Sequence, residues 1–140
     1  MSGVFLDTSA VYAAARAGTD RHPEAKAEYE RLLRDAIRLV TTDLVVAELH
    51  ALTLSRSRPA VALDLVDRLM RSSRIDVIAT GVDRIQSAVE LLRDRPDRRY
   101  SLADAASFVV MREFGIEQAF TLDADFAAEG FGMLPGDSQA

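Results

Sequence analysis

Val4-Phe5-Leu6-Asp7-Thr8-Ser9-Ala10 opens with three apolar residues, then an acid and two hydroxyl residues, before an alanine-rich stretch. A short apolar run bounded by cap-forming residues reads as a buried strand over Val4–Leu6, feeding directly into a helix over Thr8–Arg16. The same alternation recurs downstream. Pro23 begins a charged amphipathic helix to about Asp35, Leu39–Thr41 is a second strand, and Leu44–Arg56 is a strongly apolar helix. Pro59 starts another helix whose inward face is Val61, Leu65, Val66 and Leu69. Ile75–Ile78 follows as a strand, Val82–Leu92 as a helix and Arg93–Tyr100 as a polar loop. Ser101–Phe114 is helical, Gln118–Thr121 is the fourth strand, and a short turn or helix over Ala124–Glu129 precedes a tail ending in Pro135-Gly136-Asp137. Strands alternating with helices require crossover connections, and therefore a parallel sheet with helices on both faces. Ligands of such sheets bind outside the carboxyl ends of the strands, where Asp7 and Asp123 fall.

The composition fits one soluble globular domain over 1–140, with 49% hydrophobic and 28% charged residues. No apolar run approaches the roughly 18 residues of a membrane span. The N-terminus lacks a charged segment followed by a hydrophobic one, so the expected location is cytoplasmic. With no cysteine and two histidines, disulfides, a thiolate nucleophile and a Cys-zinc site are excluded, and a His-based zinc site is disfavoured. A net charge of −5 argues against binding nucleic acid through a general basic field, yet leaves room for a nucleic-acid substrate if metal offsets the acids. Lys26 is the only lysine; the arginine bias suits phosphate contacts and equally reflects a GC-rich genome.

Four acids stand beside or inside apolar stretches: Asp7, Glu48, Asp104 and Asp123. Such a carboxylate must stay solvated, pair with a cation or coordinate one. No arginine or lysine lies within four residues of Asp7, Glu48 or Asp123. Asp7 reads alternatively as a helix N-cap, although Thr8 and Ser9 serve that role equally well. Glu48 is flanked at helical spacing by Leu44, Val45, Ala51 and Leu52, which makes it an acid on an apolar stripe unless that edge is wet. Ser101-Leu-Ala-Asp104 matches a capping box, compatible with a second role for Asp104. Ser107, one turn on, is placed to hydrogen-bond a metal-bound water. Asp123 directly ends a strand and is preferred to Asp125, which reads as solvated; Asp43 reads as the N-cap of the Glu48 helix or as a wall of the site. Gathered together, these acids point to a divalent metal ion and phosphate chemistry.

The chain resembles the PIN-domain ribonucleases, and among them the VapC-type toxins of bacterial toxin–antitoxin pairs. The resemblance rests on Phe5-Leu6-Asp7-Thr8-Ser9-Ala10, Thr41-Thr42-Asp43-Leu44-Val45-Val46-Ala47-Glu48-Leu49, Ser101-Leu102-Ala103-Asp104-Ala105-Ala106-Ser107-Phe108 and Phe120-Thr121-Leu122-Asp123-Ala124-Asp125-Phe126. It implies a three-layer α/β/α domain with a central, mainly parallel sheet of four to five strands. It also implies Mg²⁺ or Mn²⁺ held by Asp7, Glu48, Asp104 and Asp123, a supporting hydroxyl at Thr8, an RNA substrate and a small antitoxin partner. Asp43 departs from the asparagine common in relatives. Hard divalent cations do prefer carboxylate and water oxygens. Arg98 and Arg99, with Arg16 as a weaker candidate, are expected to contact RNA, and the apolar stretch Leu44–Met70 is a homodimer surface, an antitoxin surface or core.

Two competing readings remain. One is a non-catalytic PIN-like module that binds RNA or protein. The other, phosphotransfer through Asp7, is disfavoured because Ser9 stands where a second aspartate is needed and the only lysine is early.

Overall fold

The computed structural model describes residues 3–136. Twelve elements follow in the order β1 (Val4–Leu6), α1 (Thr8–Ala15), α2 (His22–Arg34), β2 (Leu39–Thr42), α3 (Asp43–Arg56), α4 (Pro59–Arg71), β3 (Ile75–Ile78), α5 (Gly81–Asp94), α6 (Leu102–Phe114), β4 (Gln118–Phe120), α7 (Asp125–Ala128) and β5 (Gly132–Leu134). The strands form one sheet in the order β3-β2-β1-β4-β5, and every pairing is parallel.

Period-two alternation sorts the strand side chains into two cores. Val4, Leu6, Leu39 and Phe120 face one side and pack with Ala10, Val11, Leu32, Leu49 and Leu69. Phe5, Val40 and Ala119 face the other and pack with Phe108, Met111 and Phe126. Helices therefore cover both faces, as the alternating pattern predicts. No helix among the described residues is long and apolar enough to cross a membrane.

The structure departs from the sequence reading beyond shifts of one residue at element ends. The segment read as a tail contains β5, whose three residues pair with β4 from Gln118↔Gly132 to Phe120↔Leu134. A strand beginning with glycine and lasting three residues leaves no periodicity to detect; Asp137 lies outside the described residues. Helix α5 runs through Asp94, so the polar loop begins at Arg95. The stretch Leu44–Met70 divides: Val45, Leu49, Leu65 and Leu69 are core, whereas Leu54, Leu63 and Met70 are exposed.

The chain runs outward from β1 through β2 to β3, then returns to the other side of β1 to add β4 and β5. The connections diverge between β1 and β4, the switch point at which parallel sheets open a crevice. Asp7 directly follows β1 and Asp123 lies just past β4.

Candidate active site

Asp7 occupies the N-cap position of α1 but makes no side-chain cap bond. Its N–H donates to the Phe120 carbonyl at 3.0 Å, which carries the β1–β4 pairing one residue further. The side chain turns into the crevice, where Oδ2 accepts from Ser9 Oγ and Thr121 Oγ1, each at 2.8 Å. Only 4% of the residue is exposed. Burial pushes its pKa up to about 6, the two hydroxyls pull it back, and repulsion from Asp104 and Glu48 adds to the rise. The capping reading of Asp7 is thus replaced by a buried, hydroxyl-clamped carboxylate.

Ser9 and Thr121 were not singled out from sequence as parts of the site. Besides holding Asp7, Ser9 Oγ accepts from the Leu122 N–H at 2.9 Å and Thr121 Oγ1 from the Asp123 N–H at 3.0 Å. One pair of hydroxyls therefore sets both strand-end aspartates. The available signal was their placement, two residues after Asp7 and two before Asp123.

Helix α3 brings Glu48 across from α1, and Thr8 Oγ1 donates to Glu48 Oε1 at 2.9 Å. Burial raises the Glu48 pKa and the Thr8 bond opposes it, while Asp104 and Asp123 repel the charge. Asp104 forms the capping box that Ser101-Leu-Ala-Asp predicts: Oδ2 accepts from the Ser101 N–H at 3.1 Å, and Ser101 Oγ accepts from the Asp104 N–H at 3.0 Å. Its pKa is also raised, first by burial and then by Asp123 and Asp125, against the Ser101 bonds.

Asp7, Glu48, Asp104 and Asp123 all line one cleft of about 390 Å³, together with Thr8, Ser9, Ala51, Leu52 and Ser101. Asp125 belongs beside them. One carboxylate oxygen from each of Asp104, Asp123 and Asp125 lies within 4.8 Å of the other two, and the Asp125 N–H donates to Asp123 Oδ1 at 2.9 Å. Asp125 is half-buried rather than solvated, and burial and Asp123 raise its pKa. Among the described residues, none of these five acids is within ion-pair distance of an arginine, lysine or histidine. The donor set is all oxygen, with no sulfur or imidazole at the cleft. That set suits a hard divalent cation.

Three residues considered for the site do not line the cleft. Ser107 is buried, and its Oγ donates to the Ala103 carbonyl at 2.9 Å, the usual fate of a mid-helix serine. Asp43 turns away to accept from the Thr80 N–H at 3.0 Å and Thr80 Oγ1 at 2.6 Å. Thr42 is the N-cap of α3 instead, accepting from the Val45 N–H. Arg16 caps the end of α1 and does not line the cleft.

Arg98 and Arg99 are exposed on the loop between α5 and α6, and Arg98 lies near enough to Asp125 to oppose the rise in its pKa. The loop is pinned by Glu129, whose side chain is 3% exposed. Glu129 accepts from Arg95 Nε, Arg112 Nη2 and Tyr100 OH, each at 2.9 Å. Burial works against its charge, but the donors win and draw its pKa down to about 2. A depressed carboxylate stabilises the fold above its unfolded pKa and loses that contribution as pH falls through the folded value. Glu129→Gln is therefore expected to cost about 1.5–3 kcal/mol at pH 7. The gap to wild type should close between pH 4.5 and about 2. Thermal melts across that range check this; a gap that stays constant into acid would show that the network is not ionic.

The PIN domain family matches residues 4–131. The chain is 37% identical over 131 residues to the 23S rRNA-specific endonuclease VapC20 of Mycobacterium tuberculosis, covering 91% of this chain and 95% of that protein. The crystal structure of that VapC20, described as a sarcin–ricin loop cleaving toxin, superposes with a TM-score of 0.83 at 32% identity, over 91% of this chain and 95% of the other. PAE2754 from Pyrobaculum aerophilum shares the fold alone, with a TM-score of 0.67 at 20% identity over 96% of this chain and 91% of that one. The chain belongs to the PIN-domain family, as a VapC-type member.

Proposed function

We propose that this protein is a divalent-metal-dependent endoribonuclease that hydrolyses RNA phosphodiester bonds and acts in the cytoplasm as the toxin of a toxin–antitoxin pair. The observation that carries the reading is the convergence, at the switch point of the sheet, of five carboxylates with no cationic partner among the described residues. The similarity to VapC20 supports RNA, and a loop of 23S rRNA in particular, as the substrate. Asp7, Glu48, Asp104, Asp123 and Asp125 would hold Mg²⁺ or Mn²⁺. Such an ion supplies an activated water and neutralises charge on the reacting phosphate.

The protein's own contribution is orientation. Ser9 and Thr121 fix the Asp7 carboxylate, Thr8 fixes Glu48, and the capping box fixes Asp104. Hydrolysis forms a bond from the water oxygen to phosphorus and breaks one to a ribose oxygen, so a proton leaves the water and one reaches the departing oxygen. Asp123 stands where it can orient that water, because its backbone is tied to Thr121 and its Oδ1 to Asp125. Since Asp7 binds its own proton up to about pH 6, ion binding must displace that proton and weakens in acid. Arg98 and Arg99 are the proposed RNA contacts on the α6 side of the cleft, with Arg16 more remote. Leu54, Leu63 and Met70 form the proposed surface for homodimer or antitoxin contact.

The test is cleavage of an RNA hairpin carrying the sarcin–ricin loop with Mg²⁺ or Mn²⁺, against an EDTA control. Cleavage that survives EDTA overturns metal dependence. Saturable Mn²⁺ binding without cleavage would favour a non-catalytic module. Within the same assay, Asp125→Asn is expected to weaken Mn²⁺ about 10–100-fold by calorimetry, the scale seen when a supporting acid is lost. An unchanged affinity would return Asp125 to the solvated role.

A further inference from the structure

A second compartment of about 240 Å³ adjoins the carboxylate cleft and shares Ser9 and Leu52 with it. Its other walls include Tyr12, Thr19, Asp20, Arg56 and Leu122. Arg56 is the last residue of α3, two helical turns beyond Glu48. Its guanidinium carbon sits 5.7 Å from the centroid of the Tyr12 ring. Tyr12 is only 7% exposed, so the ring is a fixed part of the core and holds the cation in place.

Most arginines of the described chain have a carboxylate within ion-pair distance. Arg56 has none, although Asp20 lines the same compartment. An exposed, unpaired guanidinium held over a ring at the edge of an acidic cleft has the chemistry of an anion seat. A nucleic-acid strand with one phosphate at the carboxylates must place a neighbouring phosphate beside them, where the acids themselves repel it. Apolar side chains of Leu52 and Leu122 offer packing for the intervening sugar.

We propose that this compartment is a binding subsite for the phosphate of a nucleotide flanking the scissile bond, with Arg56 as its contact. The inference rests on the ribonuclease reading above and extends it to the path of the strand. Arg56 acts in binding and leaves the chemical step to the carboxylates.

The experiment compares wild type, Arg56→Gln and Arg56→Lys on the sarcin–ricin hairpin with Mn²⁺, measuring kcat and KM between about 50 and 200 mM salt. Arg56→Gln is expected to raise KM roughly tenfold with kcat within about twofold, the scale of one charge-assisted contact. It should also reduce the salt slope of binding by about 0.7, the value for one single-strand phosphate. Arg56→Lys should keep the slope and lose part of the affinity, since charge survives while the planar fork does not. Arg56 is exposed, so melting temperatures should not move. If wild type cleaves while KM and slope are unchanged in Arg56→Gln, the subsite is refuted and the ribonuclease reading stands. A loss confined to kcat refutes it as well. Wild-type protein that neither binds nor cleaves the hairpin overturns the underlying reading, and the subsite with it.

Discussion

Asp7→Asn is expected to abolish RNA cleavage, by at least about 10³-fold, while making the metal-free protein more stable at pH 7.5. The loss follows from the proposed role of Asp7 as an anionic ligand, since metal assistance supplies several kcal/mol of barrier lowering. The gain follows from linkage. Asp7 has a folded pKa of about 6 against an ordinary value of 3.8. A group raised in this way contributes stability below its unfolded pKa and loses it as pH rises through the folded value. In metal-free wild type that penalty grows between pH 4 and about 6.5 and reaches on the order of 2–3 kcal/mol. Asparagine never pays it. Adding Mn²⁺ at about 1,000 times its Kd should stabilise wild type by about 4.1 kcal/mol and leave the variant nearly unmoved, so their order reverses. Melts at pH 4.5 and 7.5, with and without Mn²⁺, measure the crossing. An Asp7→Asn protein that keeps a tenth of its activity, or is less stable than wild type when both are metal-free at pH 7.5, would remove Asp7 from the centre of the site.

Phe108→Ala carries the largest expected cost to the fold. The ring is fully buried and meets Tyr100 edge-on at 5.1 Å, Phe126 edge-on at 4.9 Å and Phe131 at 5.7 Å. Truncation should cost about 3–5 kcal/mol and lower Tm by roughly 10–20 °C. It should also weaken the proposed ion site, because Phe108 lies one turn beyond Asp104 on α6 and packs against Phe126, which adjoins Asp125 in α7. Without the ring, the packing that sets the spacing of those carboxylates is loosened, leaving the Arg112–Glu129 pair between the two segments. Calorimetry on the folded variant at low temperature should show weaker Mn²⁺ binding, with Phe108→Leu intermediate. Unchanged affinity would mean that the two helices are registered by other contacts.

The legible parts of the site were those where an acid interrupts an apolar pattern. Asp7, Glu48, Asp104 and Asp123 each stand out because the neighbouring residues belong in a core, and the structure brings all four to one cleft. Asp125 was hidden because an acid at the start of a short helix near the surface has an ordinary explanation as a solvated charge. Its role depends on the β4–α7 turn placing it against Asp104. Ser107 shows the converse error. Helical spacing gives the face of a residue but not the direction of its hydroxyl, which here returns to the Ala103 carbonyl. For Asp43, the cap moved one residue earlier to Thr42, and the freed acid found Thr80 across the sheet edge. Strand order was legible only as parallel crossovers. The return to β4 beside β1 depends on long-range pairing, which has no local signature in sequence.

The hydrogen bond from Thr121 to Asp7 joins residues 114 positions apart. A chain still being synthesised therefore lacks the complete carboxylate cluster until residues 121–125 have been added. A chain truncated anywhere before Asp123 lacks a wall of the cleft and cannot assemble it.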